Sequence, residues 1–92
     1  MSEEELSIIF KALSDKNRMQ ILAIINQDKE VCVCKIQEHF TFTQPTLSYH
    51  LGFLQDANLI NCHKEGINCI YQINEEVLNK INNQRRLQRI KN

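Results

Sequence analysis

Apolar residues recur at helical spacing along most of this chain and switch to spacing two near its end. Leu6, Ile9, Phe10 and Leu13 stand at i, i+3, i+4 and i+7, which predicts a helix over residues 3–13 with those four facing inward. Ser14-Asp15 offers a cap for a second helix over residues 16–26, with Met19, Leu22 and Ile25 on its inner face and Ile21 and Ile24 widening it. The polar run Gln27-Asp28-Lys29-Glu30 predicts a loop. Val33, Ile36 and Phe40 are then spaced for a short helix within residues 31–40, and Thr41-Phe42-Thr43 for a tight turn.

Residues 43–57 predict the helix that the rest serves. Thr43 is placed to cap it, and Pro45 falls in the first turn, where a missing N–H costs little. Leu47, Leu51 and Leu54 make one buried stripe. The opposite face carries Pro45, Thr46, Ser48, Tyr49 and Gly52, with no acid to repel a phosphate. Two helices joined by a short turn, the second polar outward, fit helix-turn-helix geometry. The period then changes. Ile60 and Cys62 alternate with Asn61 and His63; Lys64-Glu65-Gly66 is a turn; Ile67, Cys69, Tyr71 and Ile73 alternate with Asn68, Ile70 and Gln72. A hairpin after a helix-turn-helix is a wing, with Lys64 and Asn68 near its tip. Asn74 caps a last helix with Val77, Leu78 and Ile81 inward, and the pattern thins after Asn82. The expected architecture is mainly α (α+β): one winged helix-turn-helix domain over residues 1–92, with a two-stranded β-hairpin wing and element order ααααββα.

Composition narrows the classes. Ninety-two residues make one small domain that a partner subunit would help to stabilise. No apolar run approaches the ~20 residues of a membrane span. The acidic start, Met-Ser-Glu-Glu-Glu, is not a secretory signal, which predicts the cytoplasm and free thiols at Cys32, Cys34, Cys62 and Cys69. The 11 basic and 11 acidic residues balance, which argues against a non-specific nucleic-acid coat. Lys80, Arg85, Arg86, Arg89 and Lys91 nevertheless give residues 80–92 a basic, acid-free end. Cys32-x-Cys34 lacks Cys-x-x-Cys redox spacing, and no Ser/His/Asp set or Gly-rich phosphate loop appears, so an enzyme is disfavoured. A DNA-binding module with inert cysteines is the remaining class, because a lone cysteine is most often a small buried apolar residue.

The order Ala12-Leu13-Ser14-Asp15, Arg18, Ile21-Leu22, Glu30-Val31-Cys32-Val33-Cys34, Ser48-Tyr49-His50-Leu51 and Lys64-Glu65-Gly66 before Tyr71 resembles the ArsR/SmtB family of metal-sensing repressors. Glu-x-Cys-x-Cys followed by Phe42-Thr43-Gln44-Pro45-Thr46-Leu47-Ser48 is most similar to its arsenical-resistance branch. Lys16 stands where the family often has Pro. The resemblance implies a homodimer joined through the first and last helices. It also implies binding to double-stranded operator DNA without a cofactor, and release when arsenite or antimonite binds Cys32 and Cys34. Thr43, Gln44, Pro45, Thr46, Ser48, Tyr49, His50 and Lys64 are the expected DNA-binding residues.

Thiolate is a soft ligand suited to thiophilic ions. Two cysteines two apart in a regular helix are separated by about 200° around the axis, so chelation is expected to need an extended or distorted first turn. That distortion, carried to the reading helix, is the expected switch. A third ligand is unassigned: Lys35 and Gln37 occupy the region where close relatives can carry another cysteine. Two thiolates can suffice with water or a small thiol completing the ion; otherwise Cys62 or Cys69 would have to reach over, and His39 is a conceivable fourth group. The zinc-type Asp/His pairs are absent from residues 74–92, and the N-terminal cysteines of the cadmium and lead type from residues 1–31. The alternative trigger is oxidation or persulfide bridging of the same two cysteines, or another soft metal such as cadmium, lead or zinc.

Overall fold

Ser2 starts the first helix by accepting from the Glu5 N–H at 3.1 Å, while its own hydroxyl lies 3.2 Å from the Glu5 carboxylate. These pairings fix the entry to α1 (Glu3–Leu13) in the computed structural model, which describes residues 1–82. Asp15 caps α2 (Lys16–Asp28) by accepting from the N–H groups of Asn17 and Arg18. The Arg18 N–H foremost, with Asn17 and the Arg18 charge adding to it against desolvation, holds the Asp15 carboxyl below the usual range. β1 (Glu30–Cys32), α3 (Val33–Gln37), α4 (Gln44–Asp56), β2 (Ile60–Glu65) and β3 (Asn68–Ile73) follow, and residues 75–82 begin a last helix, α5. The predicted basic tail, with Arg85, Arg86, Leu87, Arg89, Ile90 and Lys91, lies outside the described residues.

The wing has the two predicted strands and one more. β1 pairs with β3, and β3 with β2, both antiparallel, in the order β1-β3-β2. The extra strand replaces the start of the predicted third helix. Val31 is buried opposite Tyr71, and Glu30 and Cys32 turn the other way, so period two holds for these three residues. α3 is consequently shorter than residues 31–40, and the link from Glu38 to Thr43 is longer than the expected turn.

The core is built from Ile9 and Ala12 on α1, Ile21 and Ile25 on α2, Ile36 on α3, Leu47, Leu51 and Leu54 on α4, and Leu59, Ile60 and Tyr71 at the sheet. Three expected inward residues point out. Phe10 is 58% exposed on α1, because Ile9 and Ala12 define the buried stripe instead. Met19 is exposed because Arg18, not Met19, turns inward. Ile67 is 97% exposed because it occupies the turn between β2 and β3, not the strand. In that two-residue turn Gly66 alone takes positive φ (64°), the pattern of a type II′ hairpin.

α4 ends in a Schellman motif. The Asn58 N–H donates to the Gln55 carbonyl and the Leu59 N–H to the Leu54 carbonyl, with Asn58 at φ 59°. Asn74 Nδ2 then donates to the Asn58 carbonyl at 2.9 Å, and its N–H to the Leu59 carbonyl, which ties the start of α5 to the end of α4. Lys29 closes α2 with φ 70° and ψ −57°, a conformation that a Cβ disfavours. Its side chain is exposed. Lys29→Gly is therefore expected to stabilise the fold by about 1 kcal/mol, read as a higher urea midpoint; a lower midpoint would contradict it.

Candidate nucleic-acid interface and dithiol site

α4 presents the expected outward face. Gln44, Pro45, Ser48 and Tyr49 are exposed, Thr46 is half-buried, and Tyr49 stands 62% exposed with its ring edge-on to His50 and Phe53. Thr43 occupies the N-cap position with extended backbone, yet its hydroxyl lies 3.2 Å from the Thr46 hydroxyl and makes no cap bond. The first-turn N–H groups of α4 are left without a side-chain partner, and such groups suit a phosphate oxygen. Lys64 is exposed on β2, on the same hairpin as the protruding Ile67.

His50 departs from the expected set. It is 7% exposed and turned into the protein, so it does not share the outward face of Ser48 and Tyr49. Its neighbour is Arg18, which the helical pattern left without a role. Arg18 is 7% exposed, donates from Nε to the Ala12 carbonyl at 2.8 Å and from Nη2 to the Lys11 carbonyl at 3.4 Å, and reaches His50 Nδ1 from Nη1 at 3.4 Å. Its guanidinium also lies 4.0 Å from the Phe53 ring centroid. One side chain thus joins the end of α1, the start of α2 and the back of α4. A signal was present: residues 18, 21, 22 and 25 share one helical face, and a charged residue at the head of an apolar stripe needs buried acceptors.

Cys32 ends β1 and Cys34 lies in the first turn of α3, and their sulfurs are joined as a disulfide across a Cα–Cα distance of 5.4 Å. This corrects the expectation of four free thiols. It also corrects the premise that the helix must be spoiled to bring the sulfurs together. Cys32 is the N-cap of α3, with extended backbone (φ −77°, ψ 155°), so the helical rotation that would part the sulfurs never applies. The two sulfurs already meet at a strand–helix junction. Cys32 is half-buried and Cys34 exposed.

The other cysteines are free and placed elsewhere. Cys32 is opposite Ile70, whereas Cys62 is opposite Tyr71, and Cys69 shares the Tyr71 side of β3; both therefore lie on the other face of the sheet from Cys32. His39 is exposed beyond α3. Among the described residues no three His, Cys, Asp or Glu side chains cluster to hold an ion. Burial foremost pushes the Cys62 thiol up, and burial together with Cys62 and Cys69 pushes the Tyr71 phenol up to about 12. The folded state thus prefers the neutral phenol. The stability this contributes is complete below the ordinary value of 10.0 and is lost as pH rises toward 12. Tyr71→Phe is expected to flatten the fall of the urea midpoint above about pH 10; equal slopes for both proteins would contradict it.

The family model for bacterial regulatory proteins, arsR family, matches residues 15–61, from the cap of α2 to the first residues of β2. The arsenical resistance operon repressor of Staphylococcus xylosus is 46% identical over 82 residues, covering 89% of this chain and 78% of that protein. A crystal structure of an ArsR family transcriptional regulator superposes with a TM-score of 0.84 at 26% identity, covering 92% of each chain. Reduced HlyU from Vibrio cholerae gives 0.72 at 29% identity, over 91% of this chain and 88% of that one. These relatives are transcriptional regulators, not enzymes, and their winged-helix fold is the one described above. The chain belongs to the ArsR family of bacterial regulatory proteins.

Proposed function

We propose that this chain is a dimeric, metalloid-responsive repressor that holds operator DNA through α4 and the wing, and lets go when arsenite or antimonite binds Cys32 and Cys34. The observation that carries the reading is the meeting of the two sulfurs at the β1–α3 junction, one short helix before the link to α4. Two equivalents of a cellular thiol reduce the disulfide to two thiols, by way of a mixed disulfide, and leave joined as their own disulfide. Arsenite, As(OH)₃, then exchanges two hydroxyls for two sulfurs and releases two waters, leaving one hydroxyl on arsenic. DNA contacts are assigned to Thr43, Gln44, Pro45, Thr46, Ser48, Tyr49 and Lys64, and His50 acts from behind through its contact with Arg18. No cofactor is needed for DNA binding in this reading. The exposed Ile8 of α1, which lines one depression with the half-buried Val77 of α5, supplies an apolar face for the partner copy. A symmetric dimer would set its two α4 helices in successive major grooves, roughly 34 Å apart.

The disulfide favours one second reading, in which oxidation of the two thiols is the trigger. One titration separates them. The protein is bound to DNA from upstream of its own gene in excess reductant, and arsenite is added. Release supports the metalloid; no release with arsenite but release with an oxidant supports the redox trigger. No helix among the described residues is long and apolar enough to cross a membrane, and the reading places the protein in the cytoplasm, with its DNA.

A further inference from the structure

Gln37 is the one described side chain with a buried polar atom lacking any partner. Its Oε1 makes no hydrogen bond, while its Nε2 donates to the Phe42 carbonyl at 2.8 Å. Gln37 lies three residues after Cys34 on α3, and the two line one open depression of about 230 Å³ with Val33 and with Gln44, the first residue of α4. A buried unpaired acceptor costs about 1–3 kcal/mol, so something must be gained by keeping it. Phe42 immediately precedes Thr43, the N-cap of α4, and its ring is stacked on Phe40 and tilted against His50.

We propose that Gln37 is the residue that recognises the bound metalloid and passes its presence to α4. This rests on the reading of Cys32 and Cys34 as the arsenite ligands. Arsenic held by two sulfurs keeps one hydroxyl, since no third ligand clusters there among the described residues. That hydroxyl is an O–H donor beside Cys34, and the Gln37 Oε1 is the acceptor left open for it. The carboxamide is rigid and planar, so Oε1 cannot swing toward a new donor without carrying Nε2 along. Engaging the hydroxyl therefore loosens the Nε2 bond to the Phe42 carbonyl, which positions the start of the reading helix. Ligand-free protein has the turn fastened; loaded protein has it slack. This is a difference in contacts between two states, as a switch requires.

Two variants test it, both in reductant, with arsenite binding measured on DNA-free protein by calorimetry and DNA binding measured with and without arsenite. Gln37→Met keeps the volume and removes both polar atoms. It is expected to bind arsenite about five- to tenfold more weakly, and its ratio of DNA affinities between free and loaded protein should shrink by about tenfold. Gln37→Glu keeps an acceptor for the hydroxyl but sets a carboxylate against the Phe42 carbonyl. It is expected to keep arsenite affinity within about twofold and to bind DNA weakly even without arsenite. Wild-type arsenite affinity and release ratio in folded Gln37→Met would overturn the inference, as would wild-type DNA binding in Gln37→Glu. A wild-type protein that takes up no arsenite would instead overturn the metalloid reading, and this inference with it.

Discussion

Arg18→Ala is expected to lower the unfolding free energy by about 3 kcal/mol and to weaken DNA binding in the protein that remains folded. The side chain is 7% exposed, so its loss opens a gap between α1, α2 and α4. The Ala12 carbonyl loses the Nε donor at 2.8 Å, which costs about 1–3 kcal/mol. The cation–π contact with Phe53 adds about 1 kcal/mol. Asp15 loses the nearby cation but keeps its bonds to the Asn17 and residue-18 N–H groups, so the α2 cap survives. Arg18→Lys should recover little, because one ammonium cannot span the Ala12 carbonyl, the Lys11 carbonyl and His50 together. Urea unfolding of the three proteins checks this. A cost below about 1 kcal/mol for Arg18→Ala would mean that Arg18 behaves as a surface charge and that α4 is held without it.

Burial stripes and turn chemistry made most of this fold legible. Leu47, Leu51 and Leu54 declared α4, Asp15 declared the start of α2, and Gly66 declared the wing turn, because each signal is local and physically forced. β1 was not legible. Three residues are too few for a period, and Val31 is a strand residue only because Tyr71 lies across from it. Phe10 and Ile67 misled for a related reason. Apolar character predicts inwardness only where neighbours close over it, and Phe10 on α1 and Ile67 at the wing tip stay open.

The site shows the same division. The residue types at Cys32 and Cys34 pointed to soft-ligand chemistry, but the helix rule placed their sulfurs apart because it assumed that both belong to α3. One residue at a strand–helix boundary reversed the geometry and removed the need for distortion. Arg18 and Gln37 make contacts with residues separated along the chain or across a turn, Ala12, His50 and Phe42, which no spacing rule contains.

Cys32→Ser is expected to abolish the arsenite response while leaving DNA binding intact. Allosteric coupling of ordinary size makes ligand-free protein bind DNA about 5- to 150-fold more tightly than loaded protein. With one sulfur removed, arsenite has a single thiolate in the depression, and the ratio should fall to near one. The substitution itself is mild. Cys32 is half-buried at the end of an edge strand, and serine is a better N-cap than cysteine, so α3 should begin where it does now. Cys34→Ser should behave alike, its side chain being exposed. The comparison that gives these results force is Cys62→Ser. Cys62 packs against the core beside Tyr71, so that change should lower stability and still leave the arsenite ratio at its wild-type value. The measurement is DNA affinity with and without arsenite, in reductant, for the wild type and the three variants. If Cys62→Ser silenced the response and Cys32→Ser did not, the ligands would belong to the wing, and the strand–helix junction would be a structural crossing with no sensory role.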